Sequence, residues 1–184
     1  MTRSEEFIPS FNFRHQIITA INNAPQVELS ASHQSIISDI DEAKNLHHLA
    51  HESDDELVQV DDDNLAGDII IDDAHAYPLL VHQALEIVYP LSPKAVIDEW
   101  SVESVEHEMA HAAAAGMLGK EVLYGVRIIK VRDEKGERNL MSCFINLKGQ
   151  NITKSELAFI TAAPEVLGEK DQHILLALGF SALG

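Results

Sequence analysis

Apolar residues recur at helical spacing through the first half of the chain. Between Phe13 and Asn22 they fall at Ile17, Ile18 and Ile21, which predicts a helix. Between Ser35 and Glu52 they fall at Ile36, Ile37, Ile40, Ala43, Leu46 and Leu49, which predicts a second. Asp61 to Asn64 reads as a turn or loop. Ala76 to Val88 is a third predicted helix, with Pro78 in its first turn and Leu79, Leu80, Val81, Ala84, Leu85 and Val88 for a buried face. Ser92-Pro93 is a start signal for a short helix to Trp100. Ser101 or Ser104 then caps another helix, which runs through His107 and His111 to Leu118 and stops at Gly119.

After Gly119 the period changes. Glu121 to Val131 is β-branched and partly alternating, Asp133 to Gly136 is turn-like, and Asn139 to Leu147 pairs back as a β-hairpin. Asn151 or Thr153 caps a helix through Ala163, which Pro164 breaks, and a last helix covers about Lys170 to Leu178 after Gly168. The pattern predicts an α+β chain, mostly helical, with a small β-hairpin or sheet late in the sequence.

Composition and charge narrow the function classes. Hydrophobic residues make up 46% of the 184, enough for a core, and aromatics only 5%, so that core is aliphatic and alanine-rich. The net charge of −17 argues against nucleic acid and anionic membrane as partners, because phosphate contacts need a Lys/Arg footprint. Thirteen acids lie between Asp39 and Asp73 against one base, Lys44, which divides the chain into an acidic N-terminal helical region, 1–75, and a second domain, 76–184. The single cysteine, Cys143, excludes an internal disulfide and a Cys-based zinc cluster. No secretory signal and no bilayer-length apolar run is visible, so the expected location is the cytoplasm.

The chemistry is concentrated in His107-Glu108-Met109-Ala110-His111, an H-E-x-x-H pattern. Residues four apart lie one turn apart on the same face of a helix, so both imidazoles can reach one Zn2+, each about 2.1 Å away. Glu108 then faces the water beside the metal, takes its proton and passes it to a leaving amine. Its mid-helix position gives the motif weight, as do the small residues Ala112 to Gly116 that follow and let other backbone pack close. The expected cofactor is zinc and the expected substrate a peptide or protein. Oligomeric state is not legible.

The segment from His107 to Val122 resembles the zinc helix of the FtsH-type peptidase family, and the similarity extends loosely from Val105 to Leu178. That resemblance implies a zincin-like metallopeptidase domain over 76–184, a stand-alone relative without the ATPase module. It also implies that an aspartate near the start of the following helix is the third ligand. Asp171, sixty residues after His111, stands at that place, with His173, Glu169 and Glu165 as rivals. Met109-Ala110 replaces the Ala-Gly pair usual in that family. Glu103, one turn before His107, is a candidate to orient that ring, or a solvated acid. The other function class is a non-catalytic zincin-fold binding or regulatory module, with structural metal or none. A fourth protein ligand or a covered cleft would favour it.

His47 and His51 share the same i, i+4 spacing, beside His48, but the apolar residues Leu46 and Leu49 put these histidines on the solvent side. Cys143 alternates with Met141 and Ile145, as a buried strand thiol does.

Overall fold

The computed structural model describes residues 12–28, 57–58, 64–147 and 149–178, and over them the chain is mixed α and β. In chain order the elements are α1 (Arg14–Asn23), β1 (Gln26–Glu28), β2 (Leu57–Val58), β3 (Asp68–Ile71), α2 (Tyr77–Val88), α3 (Lys94–Met117), β4 (Leu123–Asp133), β5 (Gly136–Asn146), β6 (Ile152–Thr153), α4 (Lys154–Thr161) and α5 (Glu169–Ala177). The helix expected at Ser35–Glu52, with His47, His48 and His51, lies outside the described residues.

Strand β4 organises the sheet. On one side it pairs along its whole length with β5, from Leu123↔Asn146 to Asp133↔Gly136. The turn holds two residues, with Gly136 at φ 105° and the Asp133 carboxylate accepting the Lys135 N–H at 2.8 Å. This is the expected hairpin. On its other side β4 is shared: β3 pairs antiparallel with residues 124–127, and β1 pairs parallel with residues 130–132. Those two strands correct the expectation of helices and acidic loops before position 76. Three and four residues are too few to show a period, and their pairing depends on an edge that lies about a hundred residues away for β1. Residues on either side of position 76 thus share one sheet. A separate two-stranded pair joins β2 and β6.

The helices cover the sheet face that carries Tyr124, Val126 and Ile128. There Phe13, Ile17 and Ala20 of the α1 region, Tyr77, Leu80, Val81, Ala84, Leu85 and Val88 of α2, and Ile97 of α3 form a first core. Burying each of the larger aliphatic side chains contributes about 1.5–3 kcal/mol. A second core begins at Ala114 and Ala115 of α3 and takes in Leu147, Ile152, Leu157, Ala158, Ile160, Leu175 and Leu178. Helix α3 is therefore the beam that runs from one core into the other.

That beam is a single helix of 24 residues, not the two predicted ones. Neither Ser101 nor Ser104 restarts it. A serine inside a helix costs about 0.5 kcal/mol relative to alanine, far less than breaking the turn-to-turn hydrogen bonds. The start lies at Pro93, whose carbonyl accepts the Val96 and Ile97 N–H groups at 3.0 and 3.1 Å. The end follows the expectation: Gly119 adopts φ 72°, and the Lys120 and Gly119 N–H groups close back on the carbonyls of Ala115 and Gly116. Thr153 caps α4 reciprocally with Glu156, each side chain accepting the other's backbone N–H. Among the described residues no helix is long and apolar enough to cross a membrane.

Candidate metal centre

The buried side of α3 is half polar. Its inward residues are Ile97, Ser101, Glu108, His111, Ala114 and Ala115. Burying a carboxylate and an imidazole costs free energy unless each finds a partner. Both lie where α3 leaves the first core for the second.

His107 and His111 stand one turn apart with their rings edge to face, 4.8 Å between centroids. Their Nε2 atoms approach to 3.2 Å. Asp171, in the first turn of α5, brings Oδ2 to 3.0 Å from His107 Nε2 and 3.4 Å from His111 Nε2. Among the described residues these three form a group that could hold a metal ion. The structure thus places the three candidate ligand residues together. Glu165 is exposed and outside the group, the half-buried His173 is also outside it, and the side chain of Glu169 lies outside the described residues. Glu103 is exposed, as a solvated helix acid is.

The donor set fits a cation. Donors arranged tetrahedrally at about 2.1 Å from one ion stand roughly 3.4 Å apart, close to the spacing found here. The tautomer of His111 adds a stronger point. Its Nδ1 lies 2.8 Å from the Ile160 carbonyl oxygen, which can only accept, so Nδ1 carries the proton and donates it. In the neutral ring, Nε2 is then a lone pair, and it faces a carboxylate oxygen. Two acceptors at that distance repel unless a positive charge, proton or metal, lies between them.

The electrostatics say the same. The hydrogen bond to Asp171 raises the pKa of His107 above its ordinary value, against the opposing effect of burial. For His111 burial pulls the pKa down, but the hydrogen bond and charge of Asp171, with the Ile160 carbonyl, outweigh it and the net shift is upward. Burial would raise Asp171; the two imidazoles overcome it and hold the carboxyl well below the usual carboxylate range. The site is not sealed: the His107 side chain is 27% exposed, against 13% for Asp171 and 8% for His111.

Glu108 is buried, 8% exposed. Its charge bears on both imidazoles and also on Tyr77 and Cys143. Tyr77 is fully buried and donates from its hydroxyl to the Gly125 carbonyl at 2.7 Å. Burial, helped by the Glu108 charge, pushes the Cys143 thiol up to about 12 despite hydrogen bonds with Tyr77 and Ser104. The thiolate form of Cys143, which is half-buried, is thereby disfavoured.

The sequence reading missed two contributors. The Ile160 carbonyl that fixes His111 is backbone and leaves no mark on the sequence. The group of Tyr77, Ser104 and Cys143 beside Glu108 comes from three separate elements, although Ser104, one turn before Glu108 on the same helix, could have been suspected. Comparison of the chain with protein-family models, curated proteins and solved structures gave no match.

Proposed function

We propose that this chain is a zincin-like metal-dependent hydrolase that cleaves peptide bonds, with His107, His111 and Asp171 as the metal ligands and Glu108 as general base and then acid. The observation that supports the metal is the convergence of His107 Nε2, His111 Nε2 and Asp171 Oδ2, which lie within 3.4 Å of one another. The resemblance to FtsH-type peptidases supports the same reading, since it pointed to an aspartate at the start of the helix that α5 supplies.

The residues divide the work. His107 and His111 offer neutral nitrogen donors, and the Ile160 carbonyl holds the His111 ring in its productive tautomer. Asp171 brings one negative charge and ties α5 to α3. A bound zinc would supply a Lewis acid that polarises a carbonyl and lowers the pKa of water to about 7. Glu108 receives a proton on its carboxylate during attack by water and returns it to the leaving amine. The partial exposure of His107 gives a substrate its way in.

The second reading is a binding or regulatory module with a structural metal. The burial of Glu108 favours it, because a base must reach the substrate. Metal analysis and a peptide-hydrolysis assay separate the cases. The wild type is expected to hold one zinc per chain, His107→Ala to lose it, and Glu108→Gln to keep it while losing hydrolysis. Full zinc content in His107→Ala would remove the site. A zinc-loaded wild type with no hydrolysis across a diverse peptide library would leave the structural role.

A further inference from the structure

Residues seven apart on a helix return to nearly the same face, about 10 Å apart along its axis. On α3 that relation joins His107, the most open member of the metal group, to Trp100, the only tryptophan of the chain. Trp100 is 43% exposed, yet it is held in place. Its ring stands edge to face with Tyr89, 5.4 Å between centroids, and the Tyr89 hydroxyl accepts the Met141 N–H of β5 at 3.1 Å. A ring fixed in this way loses little freedom when a ligand settles on it. Val96, one turn earlier on the same side, is 38% exposed and extends the apolar surface. Glu103 lies between the two ends, three residues after Trp100 and four before His107. It is exposed, and its carboxylate bonds to no other described residue.

What fits this surface is a cation on an apolar stem. An arginine or lysine lays its methylenes on Val96 and Trp100, and sets its charge against the ring and the Glu103 carboxylate. A net charge of −17 favours the same partner. Arg138, whose charge reaches Tyr89, is already engaged by Asp133. We propose that Trp100 and Glu103 form a specificity subsite for a basic side chain of the substrate, three residues from the bond cleaved at the metal. The preferred substrate is then an extended basic peptide. This deepens the hydrolase reading given above and rests on it. Three residues of extended chain cover about 10 Å, the distance along α3 from His107 to Trp100.

The test uses the zinc-loaded full chain and a neutral synthetic peptide carrying one arginine, moved along it a position at a time. Matching peptides carry citrulline, which keeps the shape and loses the charge. Mass spectrometry locates the cut. Emission from Trp100, read in Glu108→Gln so that the peptide survives, reports occupancy of the ring. The cut is expected to stay three residues from the arginine and to move with it, with kcat/KM about fivefold to tenfold above the citrulline peptides. Trp100→Leu should lower kcat/KM for the arginine peptides about fivefold and Glu103→Gln about threefold, with zinc content unchanged and citrulline peptides within about twofold. A cut that ignores the position of the arginine overturns the subsite, as attraction by net charge alone, and leaves the hydrolase standing. An equal loss on both peptide series in Trp100→Leu does the same. If no peptide is cut, the hydrolase reading falls. A saturable, arginine-dependent change in Trp100 emission then still supports the subsite, on a binding module, and no change removes it as well.

Discussion

His111 has both ring nitrogens committed, one to the Ile160 carbonyl and one to the shared point with His107 and Asp171. Such a ring titrates with its neighbours, and the direction of the shifts fixes the pH dependence of the metal-free chain. The two histidines have folded pKa values above about 6.5, so their contribution to stability is fully present below that value and is lost as pH rises through the raised ones. Asp171 has a folded value below about 3.9, so its contribution is present above that and is lost as pH falls through the depressed one. Urea denaturation of chelator-treated protein should therefore show wild type exceeding Asp171→Asn by the widest margin between about pH 4 and 6.5, with the margin narrowing by pH 9. A margin that grew toward alkaline pH would contradict the arrangement. Zinc follows the opposite trend, since it competes with those protons: its affinity should fall as the medium is acidified through the raised imidazole values.

Secondary-structure elements approach closely at two glycines. A Cβ on Gly67 would stand 2.0 Å from the backbone oxygen of Ile128, at the start of β3 where it joins β4. On Gly125 it would stand 2.3 Å from the ring of Phe144 across the hairpin, the ring that also lies under the Arg127 guanidinium. Backbone cannot swing aside and a ring can. Gly67→Ala is thus expected to destabilise by more than Gly125→Ala, which should cost about 1–3 kcal/mol. Phe144→Leu should recover part of the Gly125→Ala loss, as read by chemical denaturation. Equal costs for the two glycines would mean that β3 is not seated as described. The same scale explains what the pattern of residues showed and hid. The hairpin was legible because Gly119, Asp133 and Gly136 mark its limits and both strands are long. Strands β1 and β3 were not, since Gln26–Glu28 and Asp68–Ile71 become strands only because β4 leaves an edge open to them. The predicted break at Ser101 failed because a cap-forming residue only permits a helix to start, and nothing near it stops the preceding one.

At the scale of the whole molecule, a net charge of −17 on 184 residues sets a repulsive background that acts on every folded contact. Salt shortens the range of that repulsion, from about 30 Å at 0.01 M to about 10 Å at 0.1 M. The metal-free protein should accordingly melt higher as sodium chloride rises across this range. A fall in melting temperature would show that attractive pairs such as the half-buried Arg127–Asp68 contact at 2.8 Å dominate the balance instead. Within this background the candidate cation site would take up one carboxylate, Asp171, beside the helix α3 that joins both cores.

By itself the sequence determined the periodic parts: the helices α1, α2 and α3 in their main extent, the hairpin, the capped α4 and α5, and the pair of imidazoles one turn apart. Each depends on residues close together along the chain, where spacing and local turn chemistry act directly. Only the tertiary structure decided that Asp171 joins those imidazoles in one group with His173 and Glu165 outside it, that a main-chain carbonyl selects the tautomer of His111, and that Glu108 is buried. These outcomes turn on how α3, α4 and α5 pack round Ala114, Ala115 and Leu175, and side-chain contacts across such distances leave no periodic trace in a single chain.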